Sequence, residues 1–355
     1  MSKLNIAVLF GGFSLEHEVS ILSFKNIVSA LDLDKYNILP IYITKNGEWF
    51  LYEGSLSNLP NSPEKFGTPI TLSLDKTKNG LIRIIGDKLK HIRIDIALPI
   101  IHGNNGEDGS LQGLLEIAGI PYVGCGVLSS SVCMDKSFTN LIAIHHDIPI
   151  IPSIVLKEKD ISIEEDLEDI ADQIKENLGY PCFIKPANGG SSVGANKAKN
   201  KKQVIEALRE AFKCDHKVLV QKYIKAKEVE CAALDTPDGL KISIVGEVSV
   251  ASSGEFYGYE EKFHNPESTN IIPAKIKEDI SEKIRTFAAT LFTAVDGRGL
   301  ARLDFFLENK TNQIYFNEIN TLPGFTNASM YPLLAQTLGY ELKELLDLLI
   351  EGSLS

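Results

Sequence analysis

Two short segments carry an unusual set of polar side chains. Gly299-Leu-Ala-Arg-Leu-Asp-Phe-Phe-Leu and Ile314-Tyr-Phe-Asn-Glu-Ile-Asn-Thr-Leu-Pro-Gly are rich in aliphatic and aromatic residues that pack well in strands, and Glu308-Asn-Lys-Thr-Asn-Gln between them suits a hairpin connection. Strand alternation puts Arg302 and Asp304 on one face of the first strand, and Glu318 and Asn320 on one face of the second. Buried charges survive when they are paired, hydrogen-bonded or bound to a cation. Two carboxylates and an amide oxygen form a hard oxygen set beside an arginine anion clamp, and magnesium takes such ligands together with substrate phosphates. The pattern therefore predicts a magnesium-nucleotide site. The same spacing also suits a structural salt bridge from Arg302 to Asp304 or Glu318.

A second group points toward phosphate. Cys182-Phe-Ile-Lys-Pro-Ala-Asn-Gly-Gly-Ser-Ser-Val-Gly ends a strand at Lys185 and opens a loop whose backbone amides, with the Ser191 and Ser192 hydroxyls, can cradle phosphate oxygens. This is not a Walker loop, because the lysine precedes the glycines, so the loop is expected to cover the phosphates between two strands. Lys217-Val-Leu-Val-Gln-Lys-Tyr-Ile turns near residues 225–228, which suits an adenine slot with Glu228 as a ribose ligand. The glycine-containing, aromatic and charged stretch 251–270 has the composition of a lid, and Lys262 is its best phosphate contact.

The first third offers further candidates. Leu4 to Phe10, Gly11-Gly12 and an apolar-periodic stretch to Leu31 read as strand, glycine turn and helix. Ser14 is a candidate cap, and Glu16 either orients a substrate ammonium or complements the helix dipole. Ile94 to Ile101 reads as a parallel strand covered on both sides, and His102-Gly-Asn-Asn-Gly-Glu-Asp-Gly follows at its carboxyl end, where open α/β sheets bind ligands. His102 suits either a developing anion or a structural role. Lys136, in a helix expected over 129–143, reaches a phosphate or lies on a solvated face.

These residues need a sizeable scaffold. A chain of 355 residues exceeds the usual single-core size, with 44% hydrophobic and 23% charged residues typical of a globular protein. The net charge of −11 argues against a nucleic-acid partner. No signal peptide or membrane-length apolar run is read, so a cytosolic location without membrane partners is expected. The five cysteines lack paired spacing and read as small buried hydrophobes. Residues 45–90 read as loops with peripheral strands at 70–72 and 81–85, and 330–350 as an amphipathic helix. The expected division is 1–127, 128–216 and 217–355.

The hairpin, Lys185 with its glycine-serine loop, and the turn at Glu228 together resemble an ATP-grasp enzyme. Leu9-Phe-Gly-Gly-x-Ser-x-Glu-x-Glu-Val-Ser, the His102 loop, Met134-Asp-Lys and Asn317-Glu-Ile-Asn-Thr-Leu-Pro-Gly-Phe-Thr make the chain similar, over nearly its whole length, to the D-alanine–D-alanine ligase family. That family includes the D-alanyl-D-serine and D-alanyl-D-lactate ligases of glycopeptide resistance.

The resemblance implies an α/β ATP-grasp fold behind a Rossmann-like N-terminal domain, and two magnesium ions, replaceable by manganese, on Asp304, Glu318 and Asn320. It implies ATP held by Lys136, Lys185, Gln221, Lys222, Glu228 and Lys262, with Glu16 and His102 at the first D-alanine. Ser191 and Ser192 would position the second substrate and the phosphate cover. Arg302 and the Gly324 amide would stabilise the oxyanion, and Ser329 with Met330 would receive the carboxylate of a second D-amino or D-hydroxy acid. A homodimer is implied by analogy. Two positions depart from the family pattern: Phe263 stands where alanine-forming members usually carry tyrosine, and Gln221 where many carry glutamate.

Overall fold

The computed structural model describes residues 3–59, 63–161, 164–190, 194–249 and 269–354. The apolar run at the start becomes β1 (Leu4–Gly11), whose residues Ile6 to Phe10 are wholly buried. A strand with no polar face must be covered on both sides, and β1 lies between β2 (Tyr36–Ile43) and β7 (Ile96–Pro99), parallel to both. The crossover from β1 to β2 is α1 (His17–Ala30), which buries Ile21, Phe24 and Ile27; the Phe24 ring stacks on Phe10 with centroids 3.8 Å apart.

The parallel character stops there. β3 (Trp49–Tyr52), β4 (Gly67–Leu72), β5 (Gly80–Ile85) and β6 (Lys88–Arg93) extend the sheet as an antiparallel meander, in the order β6-β5-β4-β3-β2-β1-β7. Residues 45–59 and 63–90 thus hold more strand than their polar composition suggests. Their strands are half-exposed, so no continuous apolar run marks them.

After α2 (Ser110–Ala118), the single helix expected over 129–143 is two, α3 (Val127–Met134) and α4 (Lys136–His145). Asp135 breaks them with extended backbone and caps α4, its side chain accepting from the Ser137 and Phe138 amides. A four-stranded antiparallel sheet follows, formed by β8 (Ser153–Lys157), β9 (Cys182–Pro186), β10 (Asn196–Ala198) and β11 (Lys217–Lys222) in the order β10-β9-β11-β8. Helices α5 (Glu164–Asn177) and α6 (Lys201–Cys214) contribute Ala171, Ile174, Leu208 and Ala211 to its core.

The third sheet holds β12 (Ala226–Thr236), β13 (Gly239–Ile242), β14 (Gly246–Ser249), β15 (Thr269–Ile271), β16 (Leu300–Glu308) and β17 (Ile314–Asn320). It packs on α7 (Glu278–Ala294) through Ile284, Ala288 and Leu291. The C-terminal stretch is two helices, α8 (Met330–Gln336) and α9 (Leu342–Gly352), because Gly339 adopts φ +91° between them. Leu345, Leu346 and Leu349 of α9 share one core with Ile6, Val8 and Phe10 of β1, so both ends of the chain are packed together.

Four cysteines are buried as expected, but Cys214, on the last turn of α6, is exposed. Among the described residues no helix is long and apolar enough to cross a membrane.

Candidate active site

The β16–β17 hairpin forms with Arg302 opposite Asn320 and Asp304 opposite Glu318, while Leu303, Phe305 and Ile319 point into the core. Asp304 receives a bidentate pair of hydrogen bonds from Arg302, from Nε at 2.8 Å and from an Nη at 2.7 Å. Glu230, opposite Asp304 on β12, stands 3.0 Å from the same Nε. Burial disfavours the guanidinium charge, but Asp304 and Glu230 outweigh burial and raise the Arg302 pKa, so it stays charged.

The salt bridge expected from Arg302 forms with Asp304. Arg302 is held by Asp304, while Glu318 and Asn320 line a cavity of about 1090 Å³. Two carboxylates directly across a strand pair repel, and Lys136 answers this with its Nζ 3.1 Å from Glu318 Oε2. The buried Asn320 Oδ1 has no hydrogen-bond partner, an arrangement that suits a hard cation. Among the described residues no group of three or more His, Cys, Asp or Glu side chains is placed to hold a metal ion.

Lys136 owes its place to the break at Asp135. Asp135 pairs with Lys217 of β11 and accepts the Ser137 hydroxyl at 2.6 Å. Burial would raise the Asp135 pKa, but the Lys217 and Ser137 bonds hold it below the usual range. Lys136, the first residue of α4, then donates to the Gly189 carbonyl at 2.7 Å. Lys185 on β9 donates at 3.2 Å to Asn317 Oδ1 of β17, joining the second and third sheets. β10 returns antiparallel to β9, so the glycine-serine segment joins two neighbouring strands.

Glu16 precedes α1 and makes no capping bond; the Ser14 hydroxyl accepts from the Glu16 N–H at 3.2 Å and donates to the His102 carbonyl at 2.8 Å. Two glycines let backbone close on the Glu16 carboxylate. A Cβ at Gly190 would lie 3.0 Å from Oε2, and one at Gly103 3.2 Å. His102 is buried, with Nδ1 donating to the Leu322 carbonyl at 3.0 Å and the Glu107 carboxylate 3.6 Å away. Burial opposes the imidazolium, yet Glu107, with Glu16 and the Leu322 carbonyl in support, raises the His102 pKa.

The cavity thus gathers Glu16, His102, Lys136, Arg302, Glu318, Asn320, Gly324, Ser329 and Met330 from the first and third sheets, their connections and α4, with Gly189 and Gly190 after β9 as the second sheet's share of the wall. Asp304 is buried beneath Arg302 and does not line it. Lys185, Gln221, Lys222 and Glu228 lie outside its wall: Gln221 is buried on β11 opposite Phe183, Lys222 is exposed, and Glu228 is half-buried on β12 opposite Phe306. Ser191, Ser192, Lys262 and Phe263 lie outside the described residues. Sequence reasoning missed Glu107 and Glu230, although each carried a signal. Glu107 shares the glycine loop of His102, and Glu230 follows Glu228 by one strand repeat.

Glu16, Lys136, Arg302, Glu318 and Asn320 thus meet around one cavity. The family profile described as D-ala D-ala ligase N-terminus matches residues 5–125, and that described as D-ala D-ala ligase C-terminus matches residues 142–351. The chain belongs to the D-alanine–D-alanine ligase family. It has the family's ATP-grasp fold and is an ATP-dependent ligase.

A D-alanine--D-alanine ligase of Caldicellulosiruptor bescii is 44% identical over 350 residues, covering 99% of this chain and 95% of that relative. One of Thermoanaerobacter sp. (strain X514) is 45% identical over 352 residues, covering 99% and 96%. Among solved structures, the VanG D-Ala:D-Ser ligase from Enterococcus faecalis is 36% identical with a TM-score of 0.87, covering 99% of this chain and 100% of that one. The D-alanine-D-alanine ligase from Coxiella burnetii is 34% identical with a TM-score of 0.84, covering 100% and 94%. ATP and magnesium use follows from the fold in general terms.

Proposed function

We propose that this ligase joins two D-alanine molecules into D-alanyl-D-alanine, a peptidoglycan precursor. A carboxylate oxygen of the first D-alanine attacks the γ-phosphorus of ATP, the bond to ADP breaks, and D-alanyl phosphate forms. The amine of the second D-alanine then attacks the acyl carbon. The tetrahedral adduct loses phosphate, and the nitrogen gives up a proton. Glu16 holds the first ammonium, with His102 beside it. Arg302 and the Gly324 N–H take the oxyanion, and Ser329 with Met330 receives the acceptor carboxylate.

Lys136 and Lys185 bind phosphate, Gln221 and Lys222 lie at the adenine, and Glu228 binds the ribose. Ser191, Ser192 and Lys262 complete the phosphate cover. Asp304, Glu318 and Asn320 hold two magnesium ions, or manganese, which when bound neutralise the charge on the transferring phosphoryl group. The working units are 1–127, 128–216 and 217–355, and the enzyme acts as a cytoplasmic homodimer.

The observation that carries this reading is the single cavity shared by Glu16, Arg302, Glu318 and Ser329. D-alanine is favoured as acceptor because the similar curated proteins carry that name at 40–45% identity. A D-serine or D-lactate acceptor is the second reading. The likeness to a D-Ala:D-Ser ligase and the phenylalanine at Phe263 favour it. ADP release with D-alanine alone, and with added D-serine or D-lactate, across pH 6–9 decides between them. Strong release with D-alanine alone is expected; release only upon adding another acceptor overturns the assignment.

A further inference from the structure

Helix α1 does more than follow Glu16. Ser23 and Asn26 are three residues apart on α1 and so share one face. Both reach the turn between β17 and α8. The Phe325 N–H donates to the buried Ser23 Oγ at 3.1 Å, and Asn26 Nδ2 donates to the Phe325 carbonyl at 2.7 Å. Both polar groups of one backbone residue are therefore taken by a helix about 300 residues earlier in the chain. The Phe325 ring, itself buried, packs against Tyr331 with centroids 5.5 Å apart and cannot turn freely.

The consequence lies one atom further along. The Phe325 carbonyl and the Thr326 N–H belong to one planar peptide unit. Asn26 holds the carbonyl side, and the Thr326 N–H donates to Ser329 Oγ at 3.0 Å, with Thr326 Oγ1 2.8 Å from the same oxygen. Orienting that plane from α1 orients Ser329. The neighbouring Gly324–Phe325 peptide is held through Ser23, and a Cβ on Gly324 would lie 2.8 Å from Ser329 Oγ, so the two ends of the turn are in contact.

We infer that Asn26 and Ser23 are positioning residues that set the acceptor site through the backbone of Phe325. Because Glu16 immediately precedes the same helix, α1 brackets both substrates: its start faces the first, and its second and third turns align the residue that receives the second. This inference rests on the acceptor role of Ser329 proposed above.

Asn26→Asp tests it, because an ionised aspartate matches the shape but donates no hydrogen bond. Ser23→Ala is the milder companion should the first variant fold poorly. The expected result is an acceptor KM raised about tenfold, the cost of one hydrogen bond in an aligned site, with the ATP KM within twofold and faster hydrogen exchange over residues 323–329. A merely structural role would lower the melting temperature without separating the acceptor KM from the ATP KM. Unchanged exchange overturns the clamp. Faster exchange with an unchanged acceptor KM leaves the clamp standing and overturns its role at the acceptor. Absence of D-alanine-dependent ADP release in the unaltered protein would instead overturn the functional reading, while exchange still reports on the clamp.

Discussion

Replacing Glu230 by glutamine removes one charge from the buried group around Arg302 and keeps its shape. Glu230 Oε2 lies 3.0 Å from Arg302 Nε, an attraction of roughly 5 kcal/mol at an effective dielectric of about 20. Asp304, its cross-strand neighbour, carries the same sign about 5 Å away and opposes it by roughly 3 kcal/mol. The difference predicts that Glu230→Gln destabilises the protein by about 2 kcal/mol, with a fall of several degrees in melting temperature. Arg302 keeps Asp304, so the loss is smaller than the ~3–5 kcal/mol of a buried pair broken outright.

The sharper test is a reversal of sign. In an Arg302→Gln background the Asp304 carboxylate still opposes Glu230 without the guanidinium between them, so the same substitution relieves that repulsion and raises the melting temperature. Thermal unfolding of the four proteins at low ionic strength completes the cycle. An equal fall in both backgrounds would refute the claim that Glu230 acts through Arg302.

Two further predictions concern the first-substrate side. The His102 pKa is raised, so its contribution to stability is fully present below about pH 6.5, the ordinary histidine value, and is lost as pH rises through the raised one. Glu107→Gln removes the raising partner, so the melting-temperature gap from the unaltered protein should be widest at about pH 6.5, narrow at higher pH as His102 loses its proton, and narrow again in acid as the Glu107 carboxyl, raised by burial, takes one up; a gap that widens steadily with pH would sink the assignment. Gly190→Ala places a methyl 3.0 Å from Glu16 Oε2. The first-site KM for D-alanine should rise about tenfold, a displaced charge-assisted contact, with melting temperature unchanged, and an unaltered KM would show that Glu16 does not need this position.

Much of the fold was legible because its strongest signals are local. The all-apolar β1, the glycine turn after it and the alternating residues of β16 and β17 each specify an element whatever surrounds them. Of the peripheral strands, β4 and β5 were legible at 70–72 and 81–85, but the exposed β6 (Lys88–Arg93) escaped notice because its stability comes from its neighbour rather than from an apolar run. The break at Asp135 was equally hidden. Met134-Asp-Lys continues a helical pattern, and only the Lys217 partner on β11 shows why the helix stops there.

The site divides the same way. The sequence by itself determined which groups are available: the carboxylates and amide of the hairpin, the lysine before a glycine-serine loop, and the acid after the first glycine turn. Strand alternation and side-chain chemistry are properties of a few consecutive residues. Only the tertiary structure decided their partners. It set Glu230 against Arg302 and Asn26 against Phe325. Those pairings join residues brought together by strand register and by the packing of α1 against the C-terminal turn. No local pattern records such contacts, because each depends on where separate parts of the chain meet.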